Sequence, residues 1–97
     1  MTVGDHVMLS ITVAYKLTAT DKGTIILDLQ KADNTPLMPG RKQVQTTVSR
    51  GAGEVTLTDE LDVPAGTSLI RVFVPLVPTG YAHTSGEVVI EYRVKKK

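Results

Sequence analysis

The sequence contains no cysteine, which excludes disulfides, thiolate zinc ligands, thiol redox chemistry and a cysteine nucleophile. It also lacks a surplus of either charge, because 11 Lys and Arg against 10 Asp and Glu leave a net charge of +1. Duplex nucleic acid and anionic membranes attract proteins with a basic surplus, so neither is an expected partner. The apolar runs are only a few residues long, and we expect none of them to span a bilayer.

Helical periodicity is missing as well, and the dominant pattern has a period of two. Between residues 7 and 17 the odd positions are apolar or aromatic and the even positions are mostly polar. Side chains of a strand alternate between its two faces, so this pattern predicts a strand with one buried face. Similar segments predict further strands at residues 24–31, 43–49, 54–63, 68–77 and 87–95.

Turn-forming residues separate these segments. Residues 18–23 predict a turn, residues 50–53 a tight hairpin, and residues 33–40 and 78–86 longer loops. Asp59 interrupts an apolar row in the fourth segment, which suggests a bulge or a strand end. The whole chain, residues 1–97, therefore predicts one all-β module: a single β-sandwich of two antiparallel sheets, immunoglobulin-like or jelly-roll, with about six to eight strands.

The sequence offers little for catalysis, and we predict that the protein is not an enzyme. A serine triad needs a histidine beside a nucleophile, yet only His6 and His83 are present. No serine lies in a nucleophile elbow, because Ser49, Ser68 and Ser85 are near turns. Paired carboxylates could hydrolyse a glycoside across a cleft, but a sandwich of this size offers little cleft. Most of the carboxylates are expected on solvated faces or in turns.

Aromatic and amide side chains indicate a different activity, the binding of sugars. Sugar rings pack their C–H faces on aromatic rings, while their hydroxyls bond amides, carboxylates and guanidinium groups. Tyr15 and Tyr92 share the parity of the inward rows and are expected in the core. The candidate ligand residues are the remaining aromatics and the outward polar side chains near them: Phe73, Tyr81, Arg71, Gln43, Gln45, Gln30 and Asp28. An ordinary solvated sheet face is the alternative for the same residues.

A short acidic cluster suggests a metal. Asp59, Glu60 and Asp62 place three carboxylates within four residues, and calcium prefers oxygen ligands. This makes the cluster a candidate calcium site, although the spacing fits no known calcium loop. Plain solvation or turn bonding is the alternative interpretation of these carboxylates.

Several stretches together resemble a known class of module. They are VSRGAGEVTL at residues 48–57, VPAG at 63–66, LIRVFV at 69–74 and PTGY at 78–81, with VAY at 13–15 and ILDLQ at 26–30 upstream. The pattern is similar to small accessory β-sandwiches of secreted bacterial polysaccharide-degrading enzymes and surface proteins. The resemblance implies a carbohydrate-binding module, sometimes with a structural calcium, that holds an attached catalytic domain near glucan.

The expected function is thus non-catalytic binding of a neutral polysaccharide. The ligand would be a β-glucan of the cellulose, mixed-linkage or xyloglucan type, and the attached enzyme a glycoside hydrolase. Such modules usually use a Trp or Tyr platform, and without Trp a single soluble chain is a better ligand than crystalline cellulose. We expect a secreted, monomeric protein whose signal peptide lies outside this sequence. The alternative is a structural spacer or adhesion domain of immunoglobulin type.

Overall fold

The computed structural model describes residues 1–96, and these residues form a single antiparallel sheet. Four strands build it in the order β2-β1-β3-β4. Their bounds are His6–Gln30 for β1, Val44–Asp62 for β2, Leu69–Pro78 for β3 and Gly86–Arg93 for β4. The all-β, antiparallel prediction is confirmed, and among the described residues no helix is long and apolar enough to cross a membrane.

The strand count differs from the prediction because two predicted turns are absent. β1 runs through residues 18–23 and β2 runs through residues 50–53, so neither segment reverses the chain there. The two segments instead face each other in the β1–β2 ribbon. Leu17 pairs with Gly51 and Lys22 with Ser49, which leaves four residues of β1 opposite Arg50 alone. The predicted turn and hairpin are therefore one large bulge.

Arg50 holds this bulge together. Its Nη1 donates a hydrogen bond to the Thr18 carbonyl at 3.0 Å, and its Nε donates to Asp21 Oδ1 at 3.1 Å. Gly51 has a φ of +118°, a conformation that side-chain-bearing residues rarely adopt. Residues 18–23 and 50–53, which have turn-type composition, thus form a bend in a continuous ribbon.

The bend brings both halves of the ribbon onto one core. A straight strand of the length of β1 would extend about 80 Å, whereas the longest dimension of the molecule is 46 Å. Residues from both sides of the bulge accordingly join the same cluster with the inner row of β3. The buried apolar side chains are Leu9, Ile11, Val13, Leu17, Ile25, Leu27, Leu29, Leu37, Val48, Leu57, Leu61, Val63, Ile70, Val72, Val74 and Leu76.

Asp59 belongs to the buried row of β2 rather than to a bulge or a strand end. The pairing with β1 runs without interruption from Asp62 to Gly51, and only 7% of Asp59 is exposed. Its carboxylate accepts a hydrogen bond from Arg41 Nη2, and the same nitrogen donates to the Glu60 carbonyl at 2.9 Å. The prediction from periodicity is wrong here because an arginine from the preceding loop neutralises the buried charge.

Tyr15 and Tyr92 lie partly buried against the core, as predicted from their parity. Tyr15 lies opposite Gly53 across the β1–β2 ribbon. A Cβ atom at Gly53 would stand 2.9 Å from the Tyr15 hydroxyl oxygen, so the tyrosine ring covers the space that glycine leaves free.

Candidate functional site

The face of the sheet that points away from the core contains most of the predicted ligand residues. Strand pairing sets Asp28 opposite Phe73 and Gln30 opposite Arg71. The pairing of β3 with β4 then sets Val89 beside Phe73 and Glu91 beside Arg71. Two parallel rows therefore cross three strands. We call this surface the outer face and define it by Asp28, Phe73, Val89, Gln30, Arg71 and Glu91.

The first row supplies an apolar floor. Phe73 is half-buried between its neighbours, and Val89 is 41% exposed. Cross-strand neighbours on one face are close enough for their side chains to touch, so Phe73 and Val89 form a continuous apolar strip. Phe73 is therefore only partly accessible to a ligand.

The second row supplies hydrogen-bonding groups. Gln30 Nε2 donates a hydrogen bond to Asp28 Oδ2 at 2.9 Å, which links the two rows on β1. Arg71 is half-buried, and its Nε has no hydrogen-bond partner among the described residues. A buried guanidinium N–H without a partner is costly. The Nε atom is itself covered by the protein, so any ligand contact of Arg71 has to come from the terminal nitrogens of its guanidinium group.

The remaining glutamines extend the polar surface towards β2. Gln45 is exposed and pairs with Ile26, a half-buried residue of the outer side of β1. Ile26 thus belongs to an inner strand of the sheet. Gln43 precedes β2 and, together with Asp28, lines a pocket of about 210 Å³ beside the Arg41–Asp59 ion pair. Asp28 consequently belongs both to the outer face and to this pocket.

Tyr81 occupies a different part of the molecule. It lies in the loop after β3, is 53% exposed, and its N–H donates to the Pro78 carbonyl at 3.0 Å. Along β3, Pro78 is about 16 Å from Phe73 at the usual rise of a strand. No hydrogen bond among the described residues joins Tyr81 to the outer face, so the grouping of the two aromatics stays a prediction from the sequence.

The acidic cluster divides between two partners. Asp59 pairs with Arg41, whereas Glu60 and Asp62 lie beside His6 at the start of β1. His6 Nδ1 is 2.8 Å from Asp62 Oδ1, and His6 Nε2 is 3.4 Å from Glu60 Oε2. Within residues 1–96 no three histidine or acidic side chains converge as metal ligands. The calcium site stays a prediction.

The same contacts set the protonation of His6. The hydrogen bond to Asp62, followed by that to Glu60, raises the pKa of His6 above its ordinary value of 6.5. All three side chains are exposed, so water screens the attraction strongly. The arrangement is a surface charge cluster at the end of the ribbon, remote in sequence from the residues of the outer face.

Comparison with known proteins returned no matching family model, no matching curated protein and no matching solved structure. The function of the site therefore has to be inferred from its own residues. Val89 and Glu91 complete its two rows, and sequence reasoning did not include them among the ligand residues. Their parity places both on the outer side of β4, but only the register of β3 with β4 shows which residues they accompany.

Proposed function

We propose that the protein is a non-catalytic module that binds a neutral polysaccharide, a soluble β-glucan chain, on the outer face. One observation supports this more than any other: the register sets Asp28 opposite Phe73 and Gln30 opposite Arg71. An aromatic ring, a carboxylate, an amide and a guanidinium group therefore share one open surface. These are the groups that together recognise the C–H faces and hydroxyls of a sugar.

Each row has a distinct role in this proposal. The sugar ring packs on Phe73 and the neighbouring Val89, while Asp28, Gln30 and Arg71 exchange hydrogen bonds with hydroxyls. The outer face carries two carboxylates, Asp28 and Glu91, against the single guanidinium of Arg71, so its residual charge is negative and favours a neutral ligand over an anion.

The shape of the site favours a chain over an isolated small molecule. The rows run across neighbouring strands, and Gln45 and Gln43 continue the polar surface towards β2. A linear polymer lying across the strands would contact these groups in succession. In this proposal the bent β1–β2 ribbon folds over the rest of the sheet as the second layer of a β-sandwich, and the module serves a secreted bacterial glycoside hydrolase to which it is attached.

Affinity electrophoresis on native gels tests the proposal. The gels contain soluble mixed-linkage β-glucan, xyloglucan, xylan or mannan, each with and without a chelator. Retardation on a glucan gel is expected for the unmodified protein and for Tyr81→Ala, because Tyr81 stands apart from the outer face. Phe73→Ala should abolish the retardation. Loss of binding with chelator would instead point to the predicted calcium site.

A structural spacer or adhesion domain is the second candidate, and the free edge of β4 favours it. β4 is the last strand of the sheet and pairs only with β3 in the described part of the chain. A spacer needs contacts with neighbouring protein but no sugar site. Absence of retardation on all four polysaccharides, with the protein folded, would favour this candidate over the glucan-binding module.

A further inference from the structure

The two edges of the sheet differ in how well they are protected. The β2 edge is interrupted by the bulge at Arg50, and Arg41 bonds the Glu60 carbonyl near its end. β4 has no bulge in its pairing with β3 and contains no proline or lysine. Bulges, prolines, lysines and covering loops are the usual means of preventing edge strands from pairing with other chains. β4 lacks these features, and the charged side chains that can also guard an edge are here Glu87, Glu91 and Arg93, which carry both signs.

The hydrogen-bonding groups of the β4 edge can be assigned from its ladder. Val94 N–H donates to the Ser68 carbonyl at 3.0 Å, so the even-numbered residues direct their backbone groups towards β3. The odd-numbered residues then direct theirs to the free edge. Lys95 follows this rule, because its N–H donates to the Met1 carbonyl and its carbonyl accepts from Val3 N–H. The N-terminal residues therefore cover the edge at Lys95 and leave it free along β4.

We propose that the free edge of β4 pairs with β4 of a second copy of this chain. The pairing is antiparallel and centred on Ile90, with Glu87 opposite Arg93 of the second copy and Val89 opposite Glu91 of the second copy. Two Glu–Arg pairs then form across the junction. The residues that hydrogen-bond across the junction are the odd-numbered residues from 87 to 93. All of them lie within β4, before Lys95, where residues 1–3 cover the edge.

Charge selects this register over its neighbours. Moving the centre to Val89 places Glu87 opposite Glu91 of the second copy, and moving it to Glu91 places two copies of Glu91 opposite each other. Like charges directly opposite on a sheet face are destabilising. The latter shift also requires the edge at Lys95, which the N-terminal residues already occupy.

The apolar side of β4 supports the same arrangement. Val88 shares the inward parity of Ile90 and Tyr92, yet it is 40% exposed. It borders a pocket of about 220 Å³ whose lining includes Tyr15 and Val74. In the proposed register Tyr92 of the second copy lies opposite Val88 and covers it. The sequence alone predicts a monomer, and the unguarded edge changes that expectation to a symmetric dimer.

Sedimentation velocity of the full chain over a range of concentrations tests the dimer. The unmodified protein should sediment as a dimer, and reversing one charge should raise the dissociation constant of that dimer. Glu87→Arg sets Arg against Arg at both junction pairs, and Arg93→Glu sets Glu against Glu. Each single variant should raise the dissociation constant by about tenfold or more, because two attractive cross-strand pairs become repulsive.

Two matched controls separate a pairing defect from a folding defect. The double variant Glu87→Arg/Arg93→Glu restores opposite charges and should dimerise again. An equimolar mixture of the two single variants should form a heterodimer, because each of its two junction pairs then joins an acidic side chain to a basic one. A monomeric unmodified protein at millimolar concentration, or a dimer indifferent to these reversals, would overturn the proposal. Neither result depends on whether the outer face binds glucan.

Discussion

The two faces of β3 differ in composition and in burial. The inner row consists of Ile70, Val72, Val74 and Leu76, all aliphatic and no more than 7% exposed. The outer row contains the charged Arg71, the aromatic Phe73 and several aliphatic residues, and most of these side chains are half-buried. A core row is uniform because every position must exclude water. The mixed outer row lacks that constraint, which leaves room for the binding role that we propose from the register.

Truncation on the inner face should have the largest effect. Ile70→Ala removes a fully buried side chain and should lower the free energy of unfolding by about 2–5 kcal/mol in urea unfolding experiments. Phe73→Ala is the matched change on the outer face. It should cost less stability than Ile70→Ala while abolishing glucan binding. An equal or greater loss from Phe73→Ala would assign Phe73 to the core and remove the distinction between the faces.

The second prediction concerns the buried carboxylate of Asp59. We expect the protein to tolerate this inward charge only when Arg41 pairs with it. Arg41→Ala leaves the carboxylate unpaired and should lower the free energy of unfolding by about 1–3 kcal/mol, a range that allows for the partial exposure of Arg41. The control is the double variant Arg41→Ala/Asp59→Leu, which restores an apolar row. Urea unfolding should show the double variant to be more stable than Arg41→Ala. If it is less stable, Asp59 has a structural role beyond its ion pair.

A polar group on the outer face should affect binding and leave stability nearly unchanged. Gln30→Ala removes one neutral hydrogen-bonding group and should weaken glucan binding by about fivefold, equivalent to about 1 kcal/mol. Isothermal titration calorimetry measures this change, and thermal unfolding checks the fold. The exposed Met8, on the ribbon half before the bulge, provides a control, since Met8→Ala should leave the affinity unchanged.

The smallest effect is expected from pH at the end of the ribbon. Because folding raises the pKa of His6, its contacts with Asp62 and Glu60 stabilise the protein below pH 6.5, and this contribution disappears as pH rises through the folded-state pKa. Urea unfolding midpoints measured below and above the folded-state pKa of His6 should decrease slightly towards alkaline pH. His6→Gln should reduce the decrease. A urea midpoint that instead increases towards alkaline pH, and does so only when His6 is present, would contradict the raised pKa of His6.

Alternation in the sequence predicted which residues of each strand face the core, but it did not predict the connectivity of the strands. The inner row of β3 and the outward position of Asp28 and Gln30 follow from a period of two. Residues 18–23 and 50–53 have turn-type composition, and whether they reverse the chain or bend it depends on their pairing with each other. That pairing joins residues distant in sequence, which local composition does not encode.

The candidate site shows the same limit. Asp28, Gln30, Arg71 and Phe73 were identified from parity and residue type, and the register then placed them side by side. Parity gives the face but not the neighbours, so Val89 and Glu91 were missed, and the grouping of Tyr81 with the outer face stays a prediction. Arg41 was missed because nothing in a loop sequence indicates the buried carboxylate that it will meet.

Amide chemical-shift mapping with a soluble β-glucan oligosaccharide tests the central proposal most directly. Titration into the isotope-labelled chain should shift the resonances of Asp28, Gln30, Arg71, Phe73, Val89 and Glu91 in a concentration-dependent manner. The inner-row amides of β3 and the amide of Tyr81 should change much less. Shifts that cluster elsewhere, or no shifts at saturating oligosaccharide, would contradict the assignment of the outer face as a glucan-binding surface.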